Sequence, residues 1–379
     1  MKKLKLMTVL GTRPEIIRLS EVIKKCDVYF DHVLVHTGQN YSYELNKLLF
    51  KDLALRKPDF YLNAVGKNVG ATIGRIVESN YCLMAKEQPD AVLILGDTNS
   101  ALSAISAKRL KVPIFHMEAG NRCWDWNVSE MVNRKIVDHI ADVNLPYTEN
   151  ARKCLLSEGI DGKTIFVTGS PMREVINANR HKIDQSGVLS HFKLSKKRYL
   201  LVSAHREENI DLEENFYLLM KSINVLGEKY KVPVIYSTHP RSRRYIQSRK
   251  FRFNRFVQNV IPLSFSDYNH LQLHALCVLS DSGTLSEESA MLNFPAVLIR
   301  TSTERPEALD YGSIIVGGIK ESDVMRAVAL AIAMHKNKEP FSVGKAYTIN
   351  YVSTKVVKII QSYTPIVNKV TWLKGTVRP

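Results

Sequence analysis

Cysteine is scarce in this sequence, and its few occurrences form no pattern. Cys26, Cys82, Cys123, Cys154 and Cys277 are odd in number, scattered and without a CxxC pair. That argues against a disulfide framework and against a structural zinc site. HxH and DxD spacings are missing as well, so no metal is expected. No apolar run approaches the ~18–20 residues of a membrane helix, and no integral membrane segment is expected. The basic opening "MKKLK" raises the question of a signal peptide, but "LMTVLG" is short for one and passes straight into a charged turn. It reads as the first strand of a cytoplasmic protein. Repeats and low-complexity stretches are absent, as are GxGxxG and Walker loops. Acidic residues are in deficit, 37 against 53 basic, a net charge of +16. Nucleic acid is the first partner such a surplus suggests. The basic residues are spread along the chain, however, and the densest stretch, "HPRSRRYIQSRKFRFNR", carries no recognition-module pattern. No nucleic-acid partner is expected. A basic cleft for a small diphosphate ligand, or attraction to an anionic surface, fits the same charge.

What is present is an alternation. With 379 residues the chain exceeds one ordinary core and fits two domains. Apolar runs at 4–11, 32–38, 91–97, 112–118, 142–148 and 164–170 are separated by helical periodicity, including a long helix at 69–87 and another at 129–141. Continuous apolar strands between helices predict a parallel sheet covered on both faces. The rhythm breaks near Gly169–Pro171 and restarts with runs at 198–205, 232–239, 259–265, 277–283 and 295–301. The expected fold class is α/β, two doubly wound Rossmann-type halves, 1–170 and 171–359. In such pairs the ligand lies where strand ends of the two halves meet in a cleft, so functional residues should follow strands in both.

Several residues satisfy that expectation. Gly11-Thr12-Arg13-Pro14-Glu15 follows the first strand, with proline suited to the first helical turn. The helix N-terminus with Arg13 and Arg18 forms a candidate anion site, against a plain strand-turn-helix with Arg13 in solvent. Asp97 follows "VLIL" and either serves a ligand or caps the next helix, as Thr98 also can. Glu118 ends an apolar strand ten residues before the next helix and cannot cap it. Desolvation there suits a general acid or base. Glu130, four residues before Arg134 and eight before Asp138, is either a site carboxylate or the start of an exposed ion-pair ladder. Cys123, beside Arg122 and without an assigned base, reads as a pocket-shaping residue together with Asn121, Arg122 and Arg134. In the second half His205-Arg206 and His239-x-Arg241 follow strands. Ser282-Gly283-Thr284 opens a helix with small residues that admit a phosphate, Glu287 and Glu288 offer a carboxylate for a ribose diol, and Arg305 follows the last long strand. Cations and N–H groups for a diphosphate, a carboxylate for a ribose, and leftover acids and bases describe a nucleotide-sugar ligand with proton transfer on the sugar.

"GTRPE", "GDTNS", "HMEAGNR", "SEMVNR", "SAHREEN", "SDSG" and "TERPEA" stand in the order and spacing of the non-hydrolysing UDP-N-acetylglucosamine 2-epimerase family, which the chain resembles over nearly its whole length. The resemblance implies a GT-B-like pair of Rossmann domains, a C-terminal helix (about 360–379) returning to the first, a homodimer, no cofactor and no metal. It also implies elimination of UDP to a glycal and re-addition with C2 inverted. By position it makes Asp97, Glu118, Glu130 and His205 the catalytic candidates. Arg13, Arg18, His239, Ser282, Gly283, Glu288 and Arg305 become candidates for binding UDP, Arg18 standing where the family has a lysine. "GTRPEIIRLS" and "HMEAGNRCWDW" are most similar to the branch that converts UDP-2-acetamido-2,6-dideoxy-L-talose to UDP-N-acetyl-L-fucosamine for capsule or O-antigen. The family's Pro-Glu-Glu is Ser129-Glu130-Met131 here, and its Gln-His-Arg stretch tied to activation is Gln39-Asn40-Tyr41. The alternatives are the UDP-N-acetylglucosamine/UDP-N-acetylmannosamine 2-epimerase and, more distantly, a GT-B glycosyltransferase or a non-enzymatic binder.

Overall fold

The structure is a computed structural model that describes residues 2–38, 43–123, 128, 130–300 and 306–374. The chain divides into two compact units, Met1–Ala178 with Thr348–Pro379, and Asn179–Tyr347. The division falls seven residues beyond Pro171, because the helix Met172–Ala178 belongs to the first unit, where Glu174 accepts the Ser353 backbone N–H at 2.9 Å.

In the first unit the strands are β1 (Lys5–Leu10), β2 (Asp31–His36), β3 (Phe60–Tyr61), β4 (Ala91–Leu95), β5 (Ile114–Met117) and β6 (Val143–Leu145). They form one parallel sheet in the order β3-β2-β1-β4-β5-β6. Met7, Val9, Val33, Val35, Val92 and Ile94 enter one apolar cluster. The alternate residues Leu6, Leu34 and Leu93 are equally buried, so these strands pack helices on both faces and show no polar alternation. The expected strand at 164–170 is reduced to a single bridge between Asn144 and Ile165, since the segment lies at the sheet edge and soon turns at Gly169. Helix α1 (Arg13–Tyr29) follows β1, and helix α2 (Glu130–Ile140) precedes β6.

The second unit repeats the plan. Strands β7 (Leu200–Ser203), β8 (Val234–Ser237), β9 (Val257–Val260), β10 (Cys277–Ser280), β11 (Ala296–Leu298) and β12 (Ile315–Val316) form a parallel sheet in the order β12-β11-β10-β7-β8-β9. Leu200, Val202, Val234 and Tyr236 face one cluster, while Leu201, Ile235 and Val278 face the other. Helix α3 (Thr284–Leu292) follows β10. Helix α4 (Val352–Val370) closes the described chain and packs on α1 of the first unit. Among the described residues no helix is long and apolar enough to cross a membrane. Both sheets have the doubly wound order, whose direction reverses between β1 and β4 and between β7 and β10. The strand ends beside that reversal are where such sheets hold ligands.

Candidate active site

At the first reversal, β1 enters α1 through Gly11 and Thr12. Glu15 folds back over this turn in a capping box. One of its oxygens accepts from Gly11 N at 3.0 Å, Thr12 N at 2.7 Å and Thr12 Oγ1 at 2.8 Å. The other accepts from Thr98 Oγ1 at 3.0 Å. Burial pushes the Glu15 carboxyl up to about 7, against the opposing pull of those bonds. The N–H groups of Gly11 and Thr12, expected to meet a ligand anion, are therefore occupied from within. Arg13 is half-buried; desolvation lowers its pKa while Asp52 acts in the opposite direction. Thr98 rather than Asp97 takes the capping role, its hydroxyl accepting from Ser100 N at 3.2 Å.

Asp97 is thereby left for Arg134, with which it forms an ion pair. Glu118 adopts φ +62°, a left-handed conformation that costs a non-glycine residue about 1–2 kcal/mol. Its N–H reaches Leu145 O at 3.2 Å, and its own carbonyl accepts from Arg134 Nη1 at 2.5 Å. The turn exposes only 5% of Glu118 and aims its carboxylate at Arg18, a partner one hundred residues away in the chain. Asn121 Nδ2 stands 3.4 Å from the second Glu118 oxygen, and Arg134 Nη2 4.0 Å from it. Arg18, expected as a UDP contact, also forms an ion pair with Glu118. Asn133 donates to Asp97 O and to Asn99 Oδ1, both at 3.0 Å, fixing α2 against the end of β4. Glu130 opens α2 one turn before Asn133 and Arg134, on the same helical face. Two carboxylates and two guanidiniums are interleaved here, with a third carboxylate on the adjoining helical turn. The guanidiniums offset the charge of the buried carboxylates while these are ionised.

The pocket-shaping candidates divide. Arg122 is buried and binds Glu158 at 2.8 and 2.5 Å and Asp138 at 2.7 Å, so it braces the turn after Glu118. Cys123 clusters with Val128 and Met131 and donates its backbone N–H to Met131 Sδ at 3.1 Å. The methionine at the family's second glutamate position is therefore part of a small apolar core.

At the second reversal, Asp281 follows β10 and is fully buried. Its Oδ2 accepts from the backbone N–H of His205 and of Arg206, both at 2.9 Å, and from Asn209 Nδ2 at 3.1 Å. Its Oδ1 lies 3.3 Å from His205 Nδ1. That contact turns the other ring nitrogen of His205 away from Asp281, and the ring lies 5.4 Å, centroid to centroid, from that of His239. His239 caps its helix through Arg241 N at 3.3 Å. Ser282 Oγ pairs with Thr284 Oγ1 at 3.0 Å, and Gly283 is the N-cap of α3. Glu288 accepts from Gln272 Nε2 at 2.6 Å, and Glu287 is wholly buried.

Arg305 lies outside the described residues, as do Gln39, Asn40, Tyr41, Trp124, Asp125 and Ser129. Two His-x-x-x-His spacings, His32/His36 and His270/His274, escaped the sequence reading. His32 is held by Asp27 at 2.6 Å and Thr8 at 2.8 Å, and His270 lies 2.6 Å from Ile183 O. Among the described residues no group of three His, Cys, Asp or Glu side chains is placed to hold a metal ion. Glu15 and Asp281 were also passed over. The first was legible as Thr-x-x-Glu, and the second stood in plain view within "SDSG".

Two doubly wound parallel sheets, each gathering buried polar groups at its reversal, define an α/β protein of two Rossmann-type units. The sequence profile of UDP-N-acetylglucosamine 2-epimerase matches residues 24–361. The structure of UDP-N-acetylglucosamine 2-epimerase from Rickettsia bellii superposes with a TM-score of 0.91 at 42% identity, covering 98% of this chain and 100% of that one. The Methanocaldococcus jannaschii enzyme in complex with UDP-GlcNAc and UDP gives 0.88 at 31% identity, covering 94% and 99%. A Pseudomonas aeruginosa UDP-2,3-diacetamido-2,3-dideoxy-D-glucuronate 2-epimerase is 29% identical over 328 residues, 86% of this chain and 91% of its own. The chain belongs to the non-hydrolysing UDP-N-acetylglucosamine 2-epimerase family, isomerases that act on UDP-sugars.

Proposed function

We propose that the chain inverts C2 of a UDP-activated 2-acetamido sugar by eliminating UDP and adding it back, with UDP-2-acetamido-2,6-dideoxy-L-talose and UDP-N-acetyl-L-fucosamine as its substrate pair in capsule or O-antigen synthesis. The observation that carries the reaction is the left-handed Glu118, its carboxylate held by Arg18 and its backbone carbonyl joined to Asp97 through Arg134. A buried carboxylate so held is a proton acceptor of fixed direction, which abstraction of a weakly acidic C2 proton requires. Glu118, Asp97 and Glu130 share the acid and base roles. His205, His239, Ser282, Gly283, Glu288 and Arg305 hold UDP, and His205 steadies the departing phosphate. Arg13 adds positive charge near the first strand end. The L-fucosamine assignment rests on the "HMEAGNRCWDW" stretch. UDP-N-acetylglucosamine is the second reading, favoured by the names of the M. jannaschii and R. bellii relatives. The enzyme works as a cytoplasmic homodimer.

NMR of the products formed from each candidate UDP-sugar in D2O tests both levels. Deuterium at an inverted C2 of the 6-deoxy sugar supports the full assignment. Turnover of UDP-N-acetylglucosamine alone replaces the sugar, and deuterium at C2 of none overturns the reaction.

A further inference from the structure

His116 is the third residue of the four-residue strand β5 and is completely buried. Its Nε2 lies 2.7 Å from the carbonyl oxygen of Gly96, the residue before Asp97. Its Nδ1 lies 2.9 Å from Oδ1 of Asp138, on α2 one turn beyond Arg134. A carbonyl oxygen only accepts, so Nε2 donates. Burial alone would raise the Asp138 carboxyl, but hydrogen bonds and charges from His116 and Arg122 hold it below the usual carboxylate range. The other ring nitrogen, Nδ1, faces this carboxylate. The second Asp138 oxygen takes the Gly120 N–H at 3.1 Å and Arg122 Nη1 at 2.7 Å. Gly120 has φ +79°, and a Cβ there would lie 2.3 Å from Ala151 O, so its backbone position is tightly defined. The left-handed Gly120, two residues after Glu118, is thus held by the Asp138 carboxylate, and one imidazole links that carboxylate to the strand end that carries Asp97.

We propose that His116 is a positioning residue which, with one ring nitrogen on the Gly96 carbonyl and the other against the Asp138 carboxylate, locks the Gly96–Asp97 strand end to α2 and thereby holds Glu118, Asp97 and Glu130 in a single arrangement. It touches no substrate and transfers no proton. The kinetic part rests on the epimerase reading above; the structural part does not.

Two variants divide the contacts. In His116→Asn the amide nitrogen replaces Nδ1, keeps Asp138 and falls short of Gly96 O. In His116→Gln it replaces Nε2, keeps Gly96 O and removes the group that faces Asp138. Each should lower kcat on the order of tenfold to a hundredfold. KM and the affinity for UDP should stay within about twofold, and deuterium entry at C2 should fall in step with kcat. A residue needed only for folding would not separate kcat from KM. Crystal structures of both variants supply the readout independent of activity. The expected result is that Glu118 leaves φ near +60° or that the Gly120 N–H loses Asp138. Variants that keep wild-type kcat, or that keep both backbone features unchanged, overturn the proposal. If the wild-type enzyme inverts no UDP-sugar, the epimerase reading fails and the crystal structures alone decide the role of His116.

Discussion

Replacing Arg134 by methionine is the most severe test of how the first site is built. Arg134 is 2% exposed, donates to the Glu118 carbonyl at 2.5 Å and pairs with Asp97. Methionine fills similar space and offers neither bond, so it leaves a carboxylate and a left-handed carbonyl without their donor. Removing one partner of a buried pair costs about 3–5 kcal/mol. The Asp97 side chain keeps 17% of its surface in solvent, which moves the expectation to the lower end, about 3 kcal/mol. Arg134→Lys keeps the charge but lacks the fork that reaches both partners, and should cost about 1–2 kcal/mol. Adding Asp97→Asn to Arg134→Met removes the stranded charge and should recover about 1–2 kcal/mol, a coupling that independent sites would not show. Urea unfolding of the full chain, followed by both circular dichroism and tryptophan fluorescence, measures the losses; two probes are needed because two units can unfold in separate steps. A methionine variant within about 1 kcal/mol of wild type, or a double variant with no recovery, refutes the reasoning.

Three further outcomes follow from the same geometry. Glu118→Gln keeps the shape but not the proton acceptor, so deuterium entry at C2 should fall on the order of a hundredfold or more while UDP titration changes little; retained exchange would move the base elsewhere. Glu15 has a folded pKa of about 7 against about 4.5 unfolded, so its contribution to stability is full below about 4.5 and is lost as pH rises through about 7. Between pH 5 and 8 the wild type should lose about 2 kcal/mol from this group, and Glu15→Gln should flatten that part of the stability curve measured by urea midpoints. Asp281→Asn turns an N–H2 group toward donors that now share one carboxylate, so isothermal titration should show UDP binding weakened roughly tenfold, with a loss of about 1–3 kcal/mol in stability. Unchanged affinity would detach Asp281 from the ligand site.

The strands that are sandwiched by helices were legible because burial on both faces writes itself as an unbroken apolar run. Phe60–Tyr61 and Ile315–Val316 were not, since two residues at a sheet edge carry no period. Glu118 stood out because a carboxylate at a strand mouth ten residues before the next helix cannot cap it, whereas Asp97 could equally have been a helix cap. The pairing of Glu118 with Arg18 was invisible, as nothing local links positions one hundred residues apart. Asp138 was read as a rung of an i,i+4 ladder, yet its described bonds run to His116, Gly120 and Arg122. Helical spacing says which side chains are neighbours on one helix, and it is silent about the backbone turn lying beneath them.

Helix α4 belongs to the unit whose other part ended at Ala178, so roughly 170 residues of the second unit are made in between. At ~5–20 residues per second a ribosome needs roughly 10–35 s to deliver that missing piece. During that interval α1 waits without the helix that will cover it, in a nascent chain whose later unit can mature first. Loss of the codons for α4 would therefore injure the half of the protein that was synthesised earliest.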